Sequence, residues 1–487
     1  MESVRTHTSP MRVSNPLARL CVLFLLTPAA ALGQTSDTSP RVASLAARMP
    51  ALIDSAGIPG LSMAVLHGGG TVWTEEYGVR NAVDRRPVGP ETVFEAASLS
   101  KPVFAYGLLR LVDRGGFDLD RPLSEYVAMA QFGDDPRMDA VTARMILTHT
   151  SGISGFAEGG KVTMGSDPGT RFRYFGDAWL PLQRAVEAVT GEPVHEFLQR
   201  EVLEPFGMDH SSFVWDDLEG DHATPHDEHG NPMEKRTFAE AHIAATLHTT
   251  AADYARFMAA AMKGTGLTAE SAGAFMTPQV EVVRGVSWGL GVGLQDDARG
   301  QAFWQWGHWF GSRAYMIGYP ETGDGLVFLA NGDAGLSILD AVLGTVLGPD
   351  QPGAAWQGYE QFDSPARRAR LELVRIFTDA GVDAGMARML ELERQAPAAL
   401  TEEGVNALGY DLLGEGHFEA AIAVFRRNVE RFPGSSNVYD SLGEAYLESG
   451  QLETALENYE RSVELDPASE HGKAAIERIR QQLAGKP

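Results

Sequence analysis

The stretch Glu95-Ala-Ala-Ser-Leu-Ser-Lys-Pro-Val-Phe104 (EAASLSKPVF) places Ser98 three residues before Lys101, at the point where an apolar, helix-like run begins. On a helix, residues at i and i+3 share a face, so the Lys101 amine can come within hydrogen-bonding distance of the Ser98 hydroxyl. A serine hydroxyl is a weak nucleophile by itself, whereas a lysine that loses its charge through desolvation or a cationic neighbour can accept its proton. The start of a helix adds free backbone N–H groups and positive potential where an oxyanion would develop. Taken alone, Ser-x-x-Lys also describes a capping serine followed by a solvated lysine. The rest of the chain decides between the two.

A length of 487 residues is too great for one compact core and suggests two or three domains. With 44% hydrophobic and 22% charged residues, the chain has the composition of an ordinary globular protein and can bury a sizeable core. The formal net charge of −25 argues against nucleic acid, whose binding needs Lys and Arg to displace counterions. Arg5, Arg12 and Arg19 precede the apolar run Leu20 to Gly33, which ends in small residues, so residues 1–33 read as a cleaved signal peptide, with an uncleaved anchor as the alternative. No later stretch is long and apolar enough to span a membrane. Cys21, the only cysteine, lies inside that signal, so the mature chain has no thiol, no disulfide and no cysteine-ligated metal. Losing three Arg and one Glu takes the mature charge from −25 to −27.

Outward from Ser98, strand-like and helix-like stretches mix from about 40 to 348. Leu61 to Val79 reads as two β runs joined by a glycine turn, and Val103 to Gly116 as a helix stopped by glycines. Strand patterns return near 290 and between 314 and 331. Helices in the middle with strands at both ends suggest an α+β sheet flanked by helices, not an alternating βαβ series. A Pro- and Gly-rich stretch after Gly348 marks a boundary, with residues 349–400 as linker and helical segment. Beyond it the chain repeats at 34 residues: Leu408-Gly409 returns as Leu442-Gly443, Gly416 as Gly450, Ala421 as Ala455, Phe425 as Tyr459, Pro433 as Pro467. Residues 401–487 therefore resemble tetratricopeptide repeats, which implies an all-α C-terminal domain and either a protein partner in its groove or a stabilising appendage.

Downstream of FEAASLSK stand ILTHTSGI (Ile146 to Ile153), PGTRFRY ending at Tyr174, LHTTAADYARF (Leu247 to Phe257) and WGHWFGSRAYMIGYPETGDGLVFLANGD (Trp306 to Asp333). Five motifs in this order resemble the β-lactamase and penicillin-binding-protein-like serine hydrolases, in the class C, esterase and D-amino-acid-peptidase branch, over roughly 40–348. The resemblance implies a β-lactamase/transpeptidase-like antiparallel sheet flanked by helices. It also implies Ser98 as acylated nucleophile, Lys101 as its helix partner and Tyr174 as the group that activates the serine and then protonates the leaving group. His308 falls where the family carries a Lys or His that lowers the tyrosine pKa or holds a substrate carboxylate. The oxyanion hole would use the Ser98 N–H and one from the strand near Phe310-Gly311. Two positions depart from the family: Tyr-x-Asn is Tyr174-Phe175-Gly176, and His-x-Gly is His308-Trp309-Phe310. Both count against β-lactam recognition, and Trp309 and Phe310 make the site mouth apolar, which favours an ester or hydrophobic peptide. His149 in HTSG reads as a loop organiser.

Three other patterns imitate sites. Gly285-Val-Ser-Trp-Gly289 fits a nucleophile elbow, but a strand-like, glycine-broken run follows where that motif needs a helix. His67-Gly-Gly-Gly70 mimics an oxyanion loop within hairpin alternation. His222, His226 and His229 suggest zinc, but their Pro- and Gly-bearing segment reads as a surface loop. The expected protein is an exported serine hydrolase, secreted or periplasmic, without cofactor or metal, acting on an ester, amide or β-lactam carbonyl of a small-molecule or peptide substrate. The alternative is a non-catalytic penicillin-binding-like scaffold or sensor whose tail holds a protein partner.

Overall fold

Helix α1 (Pro40–Ala56) leads into the hairpin β1 (Gly60–His67) and β2 (Gly70–Gly78), and β3 (Phe94–Ala97) runs directly toward α2 (Ser100–Asp113). The computed structural model describes residues 40–156, 160–215, 221–238 and 240–484; the expected signal lies outside them. Short elements follow: α3 (Ala143–Leu147), β4 (Ile153–Phe156), β5 (Val162–Met164), α4 (Leu180–Thr190), α5 (Val194–Leu198), α6 (Glu204–Phe206) and β6 (Leu247–Thr249). Then come α7 (Ala251–Met262), α8 (Ala269–Met276) and six successive strands: β7 (Val280–Val283), β8 (Val286–Trp288), β9 (Gly293–Asp297), β10 (Gly300–Trp309), β11 (Ser312–Tyr319) and β12 (Asp324–Ala330), followed by α9 (Leu339–Val346).

These strands build an eight-stranded antiparallel sheet in the order β2-β1-β12-β11-β10-β9-β8-β7, so the N-terminal hairpin closes onto the last strand. Side-chain alternation explains why both faces are covered. Tyr315, Ile317 and Tyr319 of β11 pack with Leu45 and Met49 of α1 and Val342 of α9. Ala314 and Met316 join the opposite core with Val103, Phe104 and Leu108 of α2. β11 is accordingly buried along its whole length. Ser287 lies on β8, which hairpins into β9, so the elbow-like pattern has no helix behind it. The glycines at 68 and 69 make the β1–β2 turn, both with positive φ.

The chain continues with α10 (Pro352–Gln357), α11 (Pro365–Ala380), α12 (Val382–Gln395), α13 (Glu402–Gly414), α14 (Phe418–Arg431), α15 (Ser436–Glu448), α16 (Leu452–Leu465) and α17 (Glu470–Ala484). The first part of the expected linker is packed: Ala354 belongs to the core that holds Trp304, and a Cβ on Gly353 would come within 2.5 Å of that indole. Residues of α11 and α12 share one core with α13 and α14, including Leu373, Phe377, Met389, Leu408 and Phe425. The repeat pattern has a steric meaning. A Cβ on Gly409 would lie 2.4 Å from the Phe425 ring, and one on Gly443 would lie 3.0 Å from Tyr459, so each glycine receives the aromatic of the next helix. None of the helices among the described residues is long and apolar enough to cross a membrane.

Gly409→Ala is expected to destabilise the tail: alanine favours a helix by about 1 kcal/mol, but overpacking costs about 1–3 kcal/mol. Gly414→Ala, whose Cβ meets nothing within 4 Å, is expected to raise the melting temperature. Thermal unfolding of the two full-length variants, read for opposite signs, checks this.

Candidate active site

Ser98 occupies the two-residue link between β3 and α2, and that link is held in a conformation the backbone resists. Ala97 has φ +48°, a left-handed value that costs a non-glycine residue about 1–3 kcal/mol. The β3–β6 ladder shifts register between Glu95 and Ala97, and such a bulge re-aims the residue that follows. The strain is held by a buried clamp. Ser100 Oγ donates to Ala97 O at 2.6 Å and accepts from Leu247 N–H at 3.0 Å, while Tyr254 OH donates to Leu99 O at 2.9 Å. The LHTTAADY motif thus acts through its first and last residues, with Thr250 capping α7 through Asp253 N–H at 3.1 Å.

Lys101 is almost fully buried and its Nζ stands 2.9 Å from Ser98 Oγ and 2.9 Å from Ala244 O. Burial pulls the ammonium down to about 7, with the Asp177 carboxylate acting in the other direction. The Tyr174 ring lies 5.0 Å from the same nitrogen. Its hydroxyl is hydrogen-bonded by Ser98 and accepts from Gln305 Nε2 at 3.1 Å; burial nevertheless pushes the phenol above its ordinary value. Trp306 packs on Tyr174 at 4.4 Å between ring centroids and His149 at 4.3 Å. His149 is the second strained residue of the site, with φ +56°. Its carbonyl accepts from Arg173 N–H at 2.8 Å and its Nδ1 from Phe175 N–H at 3.5 Å, so it grips the chain on both sides of Tyr174. Burial first, then the neighbouring Lys101, keep its imidazole neutral.

The structure brings Ser98, Lys101 and Tyr174 together and arranges the other expected residues differently. Gly176 is adjacent: a Cβ there would lie 3.9 Å from Lys101 Nζ. His308 stands exposed on β10, and its side chain makes no hydrogen bond among the described residues; desolvation, then Arg313, lower its pKa. The Tyr174 hydroxyl is met by Ser98 and Gln305, and burial, the largest effect on the phenol, raises it; His308 is not among the groups acting on it. Phe310 is 52% exposed beneath the Arg236 guanidinium, 3.9 Å from its ring. The Gly311 N–H is already given to Asp333 Oδ1 at 2.9 Å, which corrects its assignment as a free oxyanion donor. His226 is fully buried, not the surface histidine expected: its Nδ1 donates to Asn331 O at 2.8 Å and its Nε2 accepts from Ala82 N–H at 3.0 Å. Gln305 and Ser100 were missed. A lone amide in the aromatic run FWQWGHW and a second serine in SLSK were the only signals for them.

A doubly covered antiparallel sheet with Ser-x-x-Lys entering a buried helix and a tyrosine over the lysine defines a β-lactamase/transpeptidase-type protein. The chain belongs to the β-lactamase family, whose profile matches residues 45–342, and a tetratricopeptide-repeat profile matches residues 436–469. Esterase EstB of Burkholderia gladioli is 29% identical over 230 residues, 40% of this chain and 58% of the esterase. The serine β-lactamase-like mitochondrial protein LACTB of Homo sapiens is 36% identical over 103 residues, 20% of this chain and 18% of that protein. The chain thus spans less than two thirds of either relative. Among solved structures, the D-alanine carboxypeptidase AmpC of Burkholderia cenocepacia superposes with a TM-score of 0.56 at 18% identity, covering 63% of this chain and 98% of the other. A class C β-lactamase superposes at 0.56 and 20% identity, covering 64% and 96%. These likenesses establish the fold.

The buried amine has a stability signature. An unfolded lysine holds its proton up to about 10.4, and the folded one releases it near 7, so the unfolded state binds more protons between these values. Stability owed to this group therefore rises with pH across that window, by about 1.4 kcal/mol per unit at most. Lys101→Met is expected to be more stable than wild type at pH 7, with the difference shrinking toward pH 10. Urea unfolding of both proteins across that range checks it.

Proposed function

We propose that this protein is a serine hydrolase that forms an acyl-enzyme on Ser98, with Lys101 as the general base in the free enzyme. The observation that carries this reading is the buried Lys101 amine, 2.9 Å from Ser98 Oγ and lowered to about 7. Near neutrality a large fraction of Lys101 is unprotonated, while Tyr174 keeps its proton. Lys101 Nζ takes the Ser98 proton as Oγ attacks the acyl carbonyl, and the Ser98 N–H faces the developing oxyanion. Tyr174 donates its proton to the leaving oxygen or nitrogen and is reprotonated from Lys101. Water then attacks the ester on Ser98 and the same groups work in reverse.

The favoured substrates are esters or hydrophobic peptides rather than β-lactams. Gly176 supplies no amide beside Lys101, and the exposed rings Phe156 and Phe310 offer apolar surface. The similarity to an esterase supports the same choice. The basic and apolar residues 1–33 support export, and the repeats support a protein partner for the tail.

Mixing the enzyme with a short-chain p-nitrophenyl ester is expected to release about one equivalent of p-nitrophenol per chain in a burst, absent in Ser98→Ala. The acylation rate is expected to rise with pH through about 7, because the neutral amine is the active form and is populated above its pKa. Lys101→Met is expected to lower it by about 10²–10⁴-fold. Equal bursts in wild type and Ser98→Ala would refute Ser98 as the nucleophile, and no burst in either would favour the scaffold reading.

A further inference from the structure

The helical tail is joined to the hydrolase part by a buried ion cluster. Arg367 and Arg370 of α11 are 3% and 6% exposed, and both bind Glu228 in the segment between α6 and β6. Arg370 does so as a fork, with Nη1 2.7 Å from Oε2 and Nη2 2.6 Å from Oε1. It also reaches Asp411 of α13 at 2.6 Å, so the contact links the loop to both α11 and the first repeat. Burial alone would raise the Glu228 carboxyl, but the two guanidinium groups hold it down at about 2.

Two residues back from Glu228, His226 ties the same loop to the turn between β10 and β11. Its N–H donates to Gly311 O at 3.1 Å, and its carbonyl accepts from Asp333 N–H at 3.0 Å. Asp333 in turn accepts from Gly311 N–H and pairs with Arg313 at 2.7 Å, and Arg313 donates to Trp309 O at 2.7 Å. The turn has no slack against the loop: a Cβ on Gly311 would lie 2.7 Å from His226 N, and Gly311 has φ +73°. On its other side the hairpin abuts the nucleophile strand. Gly307 leaves 2.4 Å between a Cβ position and Ala96 O, and Ser312 Oγ donates to Glu95 at 2.8 Å.

We propose that Glu228 is a positioning residue for the Ser98 site, and that α11 of the tail, through Arg367 and Arg370, sets the place of the β10–β11 turn beside the nucleophile. The inference rests on the Ser98 acyl-enzyme reading for its catalytic consequence, and on the hydrogen-bond path alone for its structural one. Glu228 is the only acid that Arg367 meets among the described residues. Removing that charge leaves a buried cation unpaired, and the loop must move to let solvent in. The Gly311 hairpin moves with it, since their backbones are bonded. A partner seated on the tail would therefore act on turnover through the same path.

The test uses the full chain with Glu228→Gln, which keeps the shape and removes the charge. Amide hydrogen exchange at Gly311 is expected to quicken, and the single-turnover acylation rate to fall, each by about two- to thirtyfold, with the burst amplitude unchanged. Arg370→Lys, which keeps the charge but loses the fork, is expected to shift both in the same direction by less, and covers the case in which Glu228→Gln does not fold. Tyr459→Leu, which loosens the last repeat away from the contact, is expected to lower the melting temperature and leave both readouts as in wild type. Wild-type exchange at Gly311 in Glu228→Gln would overturn the coupling. Faster exchange with unaltered acylation would overturn the positioning role. Exchange is read without substrate, so a wild-type protein lacking a burst would count against the Ser98 chemistry while the Gly311 result still decides the coupling.

Discussion

The desolvation of one amine organises this molecule. Lys101 sits in a core with two hydrogen bonds, to Ser98 and Ala244, and aromatic rings around it. A charged ammonium in such a place would be strongly disfavoured, so the protein lowers its pKa instead of pairing it with a carboxylate. Packing must hold that state, because a gap admitting water would restore the charge. Trp179 at 5.6 Å and Tyr174 at 5.0 Å close the space, and α2 is buried along most of its length. The lowered amine beside the Ser98 hydroxyl is thus a consequence of burial, and burial is a consequence of the layers on the sheet.

Around the amine the backbone carries strain next to Ser98 and Tyr174. Of the three non-glycine residues with positive φ among the described residues, Ala97 and His149 adjoin Ser98 and Tyr174. Each is over-determined by neighbours: Ala97 by Ser100 and the β3–β6 bulge, His149 by hydrogen bonds to Arg173 and Phe175 and by ring contacts. Strain of this kind persists only where surrounding contacts outweigh it. The same contacts that stabilise the core therefore hold Ser98 and Tyr174 in register.

The tail belongs to this design as much as the sheet does. The segment between them is not a free tether: α10 lays Ala354 and Gly353 against Trp304, and α11 inserts two arginines onto Glu228. Buried ion pairs contribute little net stability compared with apolar packing, but they demand one geometry, because any displacement leaves a charge unpaired. That property suits a seam between a repeat array, which is inherently extensible, and a site that tolerates little movement.

Much of this was legible in the residues. Ser98 and Lys101 are an i, i+3 pair on one helix, a relation set by local geometry, and the glycine and aromatic positions of the repeats recur at a fixed period because neighbouring helices pack the same way each time. The hairpin turn at Gly68-Gly69 and the antiparallel strands were readable for the same reason. Gln305 on Tyr174, Ala244 O on Lys101, the buried His226 and the Glu228 cluster were not: their partners lie 131, 143, 105 and 139–142 residues away along the chain. The sequence by itself determined which chemistry-bearing residues were available and which local elements carry them. Only the tertiary structure decided which of them meet and with what charge, because juxtaposition across the sheet and the degree of desolvation are set by packing between distant segments, which no local pattern encodes.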